Sequence, residues 1–208
     1  WSDEVICGFG RTGNDFGCNT MGFHPQLMTL AKQLSSAYIP ISASIIPEFM
    51  YQAMVEPSSK VGIFGHGYTY SGHPAACAVA LKTLEIYERE NLFQHAAKMG
   101  ECMQAKLKEV ADHPLVGEVR GKGLIGAVEL VANKKTGESF KDGSVGAYAK
   151  QASQEHGLLI RAVAGNSLAF CPPLIIEEDQ INEMIDKFKL ALKDTMDHVH
   201  ASGLLQSQ

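Results

Sequence analysis

The sequence has 208 residues, 45% of them hydrophobic, enough to bury one large core or two small ones. Its 18 basic and 23 acidic residues give a formal net charge of −5, which argues against nucleic acid or an anionic membrane surface as the main partner. That balance points to small molecules or other proteins as partners; no apolar run approaches the roughly 20 residues of a spanning helix, so a soluble protein is the expectation, and its five cysteines read as cytoplasmic thiols.

In chain order, Asp3-Glu4-Val5-Ile6-Cys7 reads as a strand, because β-branched and apolar residues concentrate there. Gly8-Phe9-Gly10-Arg11-Thr12-Gly13 then turns the chain, and Leu27 to Ala31 forms a second apolar run closed by Lys32. Ile39 to Ile46 reads as a buried strand ending at Pro47, Glu48 to Val55 as a short helix, and Pro57 to Gly62 as a loop. Gly65 to Pro74 is a second glycine-punctuated stretch, suited to approaching a phosphate. The small apolar run from Ala75 to Leu81 predicts a helix buried on nearly all sides, with Pro74 in its first turn.

Asn91 is placed to cap a further helix, in which Ala96, Met99, Met103, Leu107 and Val110 recur at helical spacing and which is expected to bridge two domains. Strands are then predicted over Val116 to Arg120 and Leu124 to Val131, and a helix over Ser144 to His156 with Gly157 just past its end. Leu158 to Val163 and Ser167 to Cys171 form a hairpin about Gly165-Asn166. A last helix carries Ile181, Met184, Ile185, Phe188 and Leu192 on one face, with fraying expected from about Ser202. Five scattered cysteines without paired spacing predict neither a disulfide framework nor a metal site, and His198 and His200 read as solvated.

Three residues stand out chemically. Asp3, on residue type alone, reads as a strand-end or capping carboxylate. Lys32 closes an apolar run, where a lysine is either exposed or functional because its ammonium is costly to bury. Arg161 sits in the apolar strand Leu159-Ile160-Arg161-Ala162, where a solvated arginine is less expected and a structural ion pair is the plain reading, while Arg120 reads as structural. The glycines at 8, 10 and 13 match a dinucleotide fingerprint, but Asn14 to Thr20 read as a loop and not a helix, so a nucleotide is not expected there.

Asp3-Glu4-Val5, Gly8 to Gly13 and Ala31-Lys32, in this order and spacing, resemble the class III aminotransferases, fold-type-I enzymes dependent on pyridoxal 5′-phosphate (PLP). The resemblance runs through the whole chain. It implies an α/β fold, with part of the large mixed-sheet domain over 1–110 and the small C-terminal α/β domain over 111–208. It assigns Lys32 as the Schiff-base lysine, Asp3 as the partner of the pyridine nitrogen, Val5 as packing on the ring, and Thr69 as a contact to the PLP phosphate of a neighbouring subunit. Arg161 is implied as the clamp on a keto-acid carboxylate, and Tyr68 as lying at the mouth of the partner's pocket. Gln33 departs from the family, where glycine is common.

The function implied is ping-pong transfer of an amino group from an ω-amino acid or amine to a keto acid, with pyruvate favoured, by a homodimer with a shared active site. The chain opens at Trp1 within a predicted core strand, so it is expected to be the C-terminal portion of a longer enzyme, with the main phosphate loop and the ring-stacking aromatic upstream. Two other readings stay open: a catalytically silent association module, and a PLP-dependent racemase or aminomutase.

Overall fold

The computed structural model describes residues 1–205. Two compact units divide the chain, Trp1–Gln94 and His95–Gln208. The helix expected to bridge them, α4 (Leu92–Leu107), lies almost wholly within the second unit.

In the first unit three short strands form one sheet in the order β1 (Ser2–Asp3), β2 (Met28–Leu30), β3 (Ala43–Ile45). β1 runs parallel to β2, pairing Asp3 with Thr29, and β3 runs antiparallel on the other side of β2. The sheet is joined by α1 (Gly17–Met21), α2 (Glu48–Val61) and α3 (Pro74–Arg89). His73 caps α3, its Nδ1 accepting from the Ala75 N–H at 3.2 Å.

Several expectations for this unit change. The first strand stops at Asp3, because the Asp3 carboxylate accepts from the Val5 N–H at 3.1 Å and the Glu4 carbonyl accepts from the Gly8 N–H at 3.0 Å, so the chain curls away from the sheet. Val5 therefore lies in a turn and not two residues along a strand from Asp3. Only Ala43–Ile45 of the expected buried strand is paired, at the sheet edge, and Ile45 and Ile46 are exposed. α2 runs through Pro57 to Val61 in place of the expected loop, and none of its residues is buried. α3 buries one face, through Ala76, Ala80, Thr83 and Tyr87, and leaves Cys77 and Leu81 exposed.

The second unit keeps close to its sequence pattern. β4 (Val116–Lys122), β5 (Ile125–Leu130), β6 (Arg161–Val163) and β7 (Ser167–Phe170) make an antiparallel sheet in the order β4-β5-β7-β6. Along β5, Gly126, Val128 and Leu130 are buried while their neighbours are half-exposed, the alternation of a sheet with one covered face. α4 crosses the β4–β5 turn so closely that a Cβ on Gly100 would sit 2.6 Å from the Gly123 Cα, and Gln104 donates to the carbonyls of Gly123 and Ile125 at 2.8 and 3.0 Å.

α5 (Ser144–Glu155) and α6 (Glu178–Ala201) complete the unit. α6 begins with Glu178 and Asp179 at its positive end, and the Gln180 side chain accepts from the Glu177 N–H at 3.0 Å. Ile181, Met184, Ile185, Phe188 and Leu192 are all buried, and Phe188 meets Phe170 edge to face at 4.9 Å. Buried Ser153 and Thr195 donate to carbonyls of their own helices. His198 stacks flat on Tyr148 at 3.8 Å, against the solvated position expected of it; His200 is exposed. The expected fraying bears partly on residues 206–208, which lie outside the described residues.

Candidate active site

Asp3 and Lys32 stand at the carboxyl ends of two adjacent parallel strands. Asp3 ends β1, and Lys32 comes two residues after Leu30 of β2. Neighbouring strands lie about 4.8 Å apart, and the region beyond the carboxyl ends of parallel strands is where open α/β sheets bind ligands. One oxygen of Asp3 accepts from the Val5 N–H at 3.1 Å and the Thr29 hydroxyl at 3.3 Å, so the carboxylate is oriented from its own turn and from the next strand. Its other oxygen has no hydrogen bond among the described residues.

Lys32 is exposed and opens a short 3-10 turn, Lys32–Leu34, with a left-handed backbone at φ +45°. Among the described residues its amine makes no ion pair or hydrogen bond. An amine and a carboxylate with an open oxygen, carried at the ends of neighbouring strands, are a donor set that fits a pyridine aldehyde, the amine for its carbonyl carbon and the acid for its ring nitrogen.

Glu4, between the two motif residues Asp3 and Val5, is only 1% exposed, a site-building residue that residue type alone does not reveal. Its carboxylate accepts from the Ser2 hydroxyl at 2.8 Å and from the N–H groups of Gly17 and Cys18 at 2.7 and 2.8 Å. Burial alone would raise this carboxyl, but these bonds outweigh it and hold its pKa below the ordinary value. The same burial, with Glu4 beside it, pushes the Cys18 thiol up. Glu4 thus fastens the start of α1 to the strand end that carries Asp3. A Cβ on Gly17 would lie 2.7 Å from the Cys7 Cβ and 3.1 Å from Glu4 Oε2, so the approach requires glycine. α1 is a short helix inside the stretch that reads as a loop, yet it offers a pyrophosphate nothing: Glu4 already occupies the amides at its N-terminus.

Thr69 and Tyr68 sit in a turn between α2 and α3, in which the Ser71 N–H donates to the Tyr68 carbonyl at 2.9 Å and the Tyr68 N–H to the Ser71 hydroxyl at 3.2 Å. Both side chains are exposed, Tyr68 by 78%, and no hydrogen bond joins them to Asp3 or Lys32 among the described residues. Arg161 begins β6 at the sheet edge of the second unit, exposed and without an ion pair among the described residues. The structural ion pair weighed for it is absent there. Arg120 is the one that fills that role, its guanidinium held by Glu129 at 2.6 Å, Glu118 at 2.8 Å and the Ser167 hydroxyl at 3.2 Å.

The family model for class III aminotransferases matches residues 2–192. The chain is 42% identical over 199 residues to gamma aminobutyrate transaminase 3, chloroplastic, of Solanum lycopersicum, covering 95% of this chain and 38% of that protein. It is 44% identical over 195 residues to the putrescine–pyruvate aminotransferase of Pseudomonas aeruginosa, covering 93% and 42%. A solved omega transaminase from Pseudomonas jessenii in complex with PMP superposes with a TM-score of 0.92 at 48% identity, covering 96% of this chain and 44% of that one. The chain therefore spans about two-fifths of the length of these relatives. Its mixed α/β fold is that of the fold-type-I transaminases, and the chain belongs to the class III aminotransferases.

Proposed function

We propose that this chain forms part of a PLP-dependent aminotransferase that moves an amino group from an ω-amino acid or amine to a keto acid, pyruvate above all, in two half-reactions at one site. The observation that carries the reading is the placing of Asp3 and Lys32 at the ends of neighbouring parallel strands in a chain of this family. PLP, when bound, supplies the electron sink that lets a substrate amine lose its α-proton.

The chain's own residues do the rest. Lys32 Nζ would hold the cofactor through its carbonyl carbon and, once freed by a donor amine, would carry the proton taken from the substrate Cα. Asp3 would keep a proton on the pyridine nitrogen, and Val5 would pack against the ring. Arg161, with no ion pair among the described residues, offers two parallel N–H bonds to the keto-acid carboxylate. Pyruvate as acceptor agrees with the name of the Pseudomonas aeruginosa relative.

The working unit would be a homodimer, in which Thr69 would hold the cofactor phosphate of the partner and Tyr68 would lie at the partner's pocket mouth. Its support is the apolar surface of the first unit: Phe49, Tyr51, Val55, Val61, Phe64 and Tyr70 are all exposed. A division into a large PLP domain over 1–110 and a small domain over 111–208, in the cytoplasm, completes the reading. No helix among the described residues is long and apolar enough to cross a membrane.

The test is to supply the chain with PLP, a diamine or ω-amino acid, and pyruvate, and to measure alanine. Alanine should accumulate in step with the carbonyl product of the donor, and Lys32→Ala should abolish both. Inversion or migration of the amino group without a carbonyl product would make the protein a racemase or aminomutase. No chemistry on any donor would make this chain a packing module.

A further inference from the structure

The turn that carries Lys32 has an unusual backbone. Lys32, Ser36 and Ala37 all take positive φ, at +45°, +49° and +64°, a region that residues with a Cβ avoid. Such conformations persist where surrounding structure over-determines them. The bonds within the segment are short-range: Leu34 N–H to the Ala31 carbonyl at 3.0 Å, Ser35 N–H to Lys32 at 3.1 Å, and Ser36 N–H to Gln33 at 3.3 Å. Bonds of this kind close many turn geometries and do not select one.

A longer-range tie comes from α3. The Tyr87 hydroxyl donates to the Gln33 carbonyl at 2.7 Å, across 54 residues of sequence. Tyr87 is 6% exposed and its ring lies 5.6 Å from that of Phe93, so helix packing fixes where the hydroxyl sits. Burial also pushes the phenol pKa up, and the group stays a donor through the neutral range. Gln33 follows Lys32 and its carbonyl belongs to the Gln33–Leu34 peptide, so a held carbonyl there pins the chain one peptide beyond the lysine's own, inside the same turn.

We propose that Tyr87 is a positioning residue, whose hydroxyl holds the Gln33 carbonyl and thereby fixes the left-handed backbone at Lys32 and the direction in which its amine leaves the turn. The consequence for catalysis rests on Lys32 as the cofactor-attachment residue; the tie itself is a property of the fold. Nothing in the sequence marks it, since an apolar helix position filled by tyrosine is ordinary.

The experiment compares the unaltered chain with Tyr87→Phe, which keeps the ring and loses only the hydroxyl, and with Thr83→Val. Thr83 is a buried residue of the same helix whose hydroxyl bonds the Val79 carbonyl and not the lysine turn. Amide hydrogen exchange is read by mass spectrometry over residues 34–38, and the rate at which borohydride traps a pyridoxyl label on Lys32 is read in the same three proteins. Tyr87→Phe should speed exchange of the turn about fivefold, the effect of one net hydrogen bond, and slow the labelling of Lys32, while Thr83→Val changes neither. Exchange that is unchanged in Tyr87→Phe, or raised equally in both variants, would overturn the proposal. If the unaltered chain takes no label on Lys32, the attachment reading fails, while the exchange comparison still decides whether Tyr87 holds the turn.

Discussion

The two units solve the same packing problem to different degrees. In the second, a four-stranded sheet and long helices bury Phe170, Phe188, Leu130, Leu168 and Ile181 almost completely. In the first, three strands of two or three residues leave Phe49, Tyr51, Phe64 and Tyr70 in solvent, and α2 buries nothing. Yet the first unit holds Asp3 and Lys32. The unit with the less complete core is the one that carries the candidate lysine and aspartate, and Glu4 and Tyr87 serve as polar anchors within it.

The largest expected effect separates the two kinds of order. Phe188→Ala should cost the second unit about 3–5 kcal/mol, measured as native-state hydrogen exchange of α6, because a fully buried ring leaves a cavity. Phe49→Ala, at a side chain 61% exposed, should change stability by less than about 0.5 kcal/mol. A large loss at Phe49 would show that the first unit's apolar surface is covered in solution.

Next in size is the effect expected at Arg161 under the proposed function. Arg161→Ala should raise the KM for pyruvate about ten- to a hundredfold with little change in kcat for donors lacking a carboxylate, since charge-assisted bonds to the acceptor are lost. An unchanged KM would remove Arg161 from the site.

Glu4→Gln should cost the first unit about 1–3 kcal/mol, read as exchange of the Gly17 and Cys18 amides, because the charged acceptor of two backbone donors is lost. The lowered pKa of Glu4 sets the pH dependence. The unfolded chain takes up the proton first, so the Glu4 contribution is whole above the ordinary value of 4.5 and is lost as pH falls through the lower folded value. Glu4→Gln should flatten that acid limb.

The smallest effect lies in the second unit and in another pH window. Burial, with Lys134 nearby, holds the His113 imidazole below its ordinary 6.5, and its Nδ1 accepts from the Leu115 N–H at 3.3 Å. Here too the unfolded chain binds the proton first, so stability is whole above about 6.5 and declines as pH drops toward the folded value. His113→Gln should narrow the difference between unfolding midpoints at about pH 7.5 and about pH 5.5.

The same contrast explains what was legible in the sequence. The α6 face from Ile181 to Leu192 and the hairpin about Gly165-Asn166 are self-contained patterns; the face appears as read, and the hairpin forms with its first arm shortened to Arg161–Val163 and its second ending at Phe170. Ile39 to Ile46 is apolar in the same way, but an apolar run states a need for cover and not what supplies it, so Ile45 and Ile46 end up exposed. Val5 is misplaced by its β-branched content, because the capping habit of Asp3 ends the strand first. Pro57 reads as a breaker although α2 continues through it. Asp3 and Lys32 are visible as residue types, while Glu4 and Tyr87 are not, because their roles depend on partners brought close only by the fold.

Whether Lys32 is the residue to which the cofactor attaches is decided by adding PLP to the purified chain, reducing with sodium borohydride and mapping the product by mass spectrometry, with Lys32→Ala alongside. One borohydride-stable pyridoxyl group is expected on Lys32, and none in the variant. A label on other lysines with Lys32 unmodified, or equal labelling of the variant, would contradict that assignment.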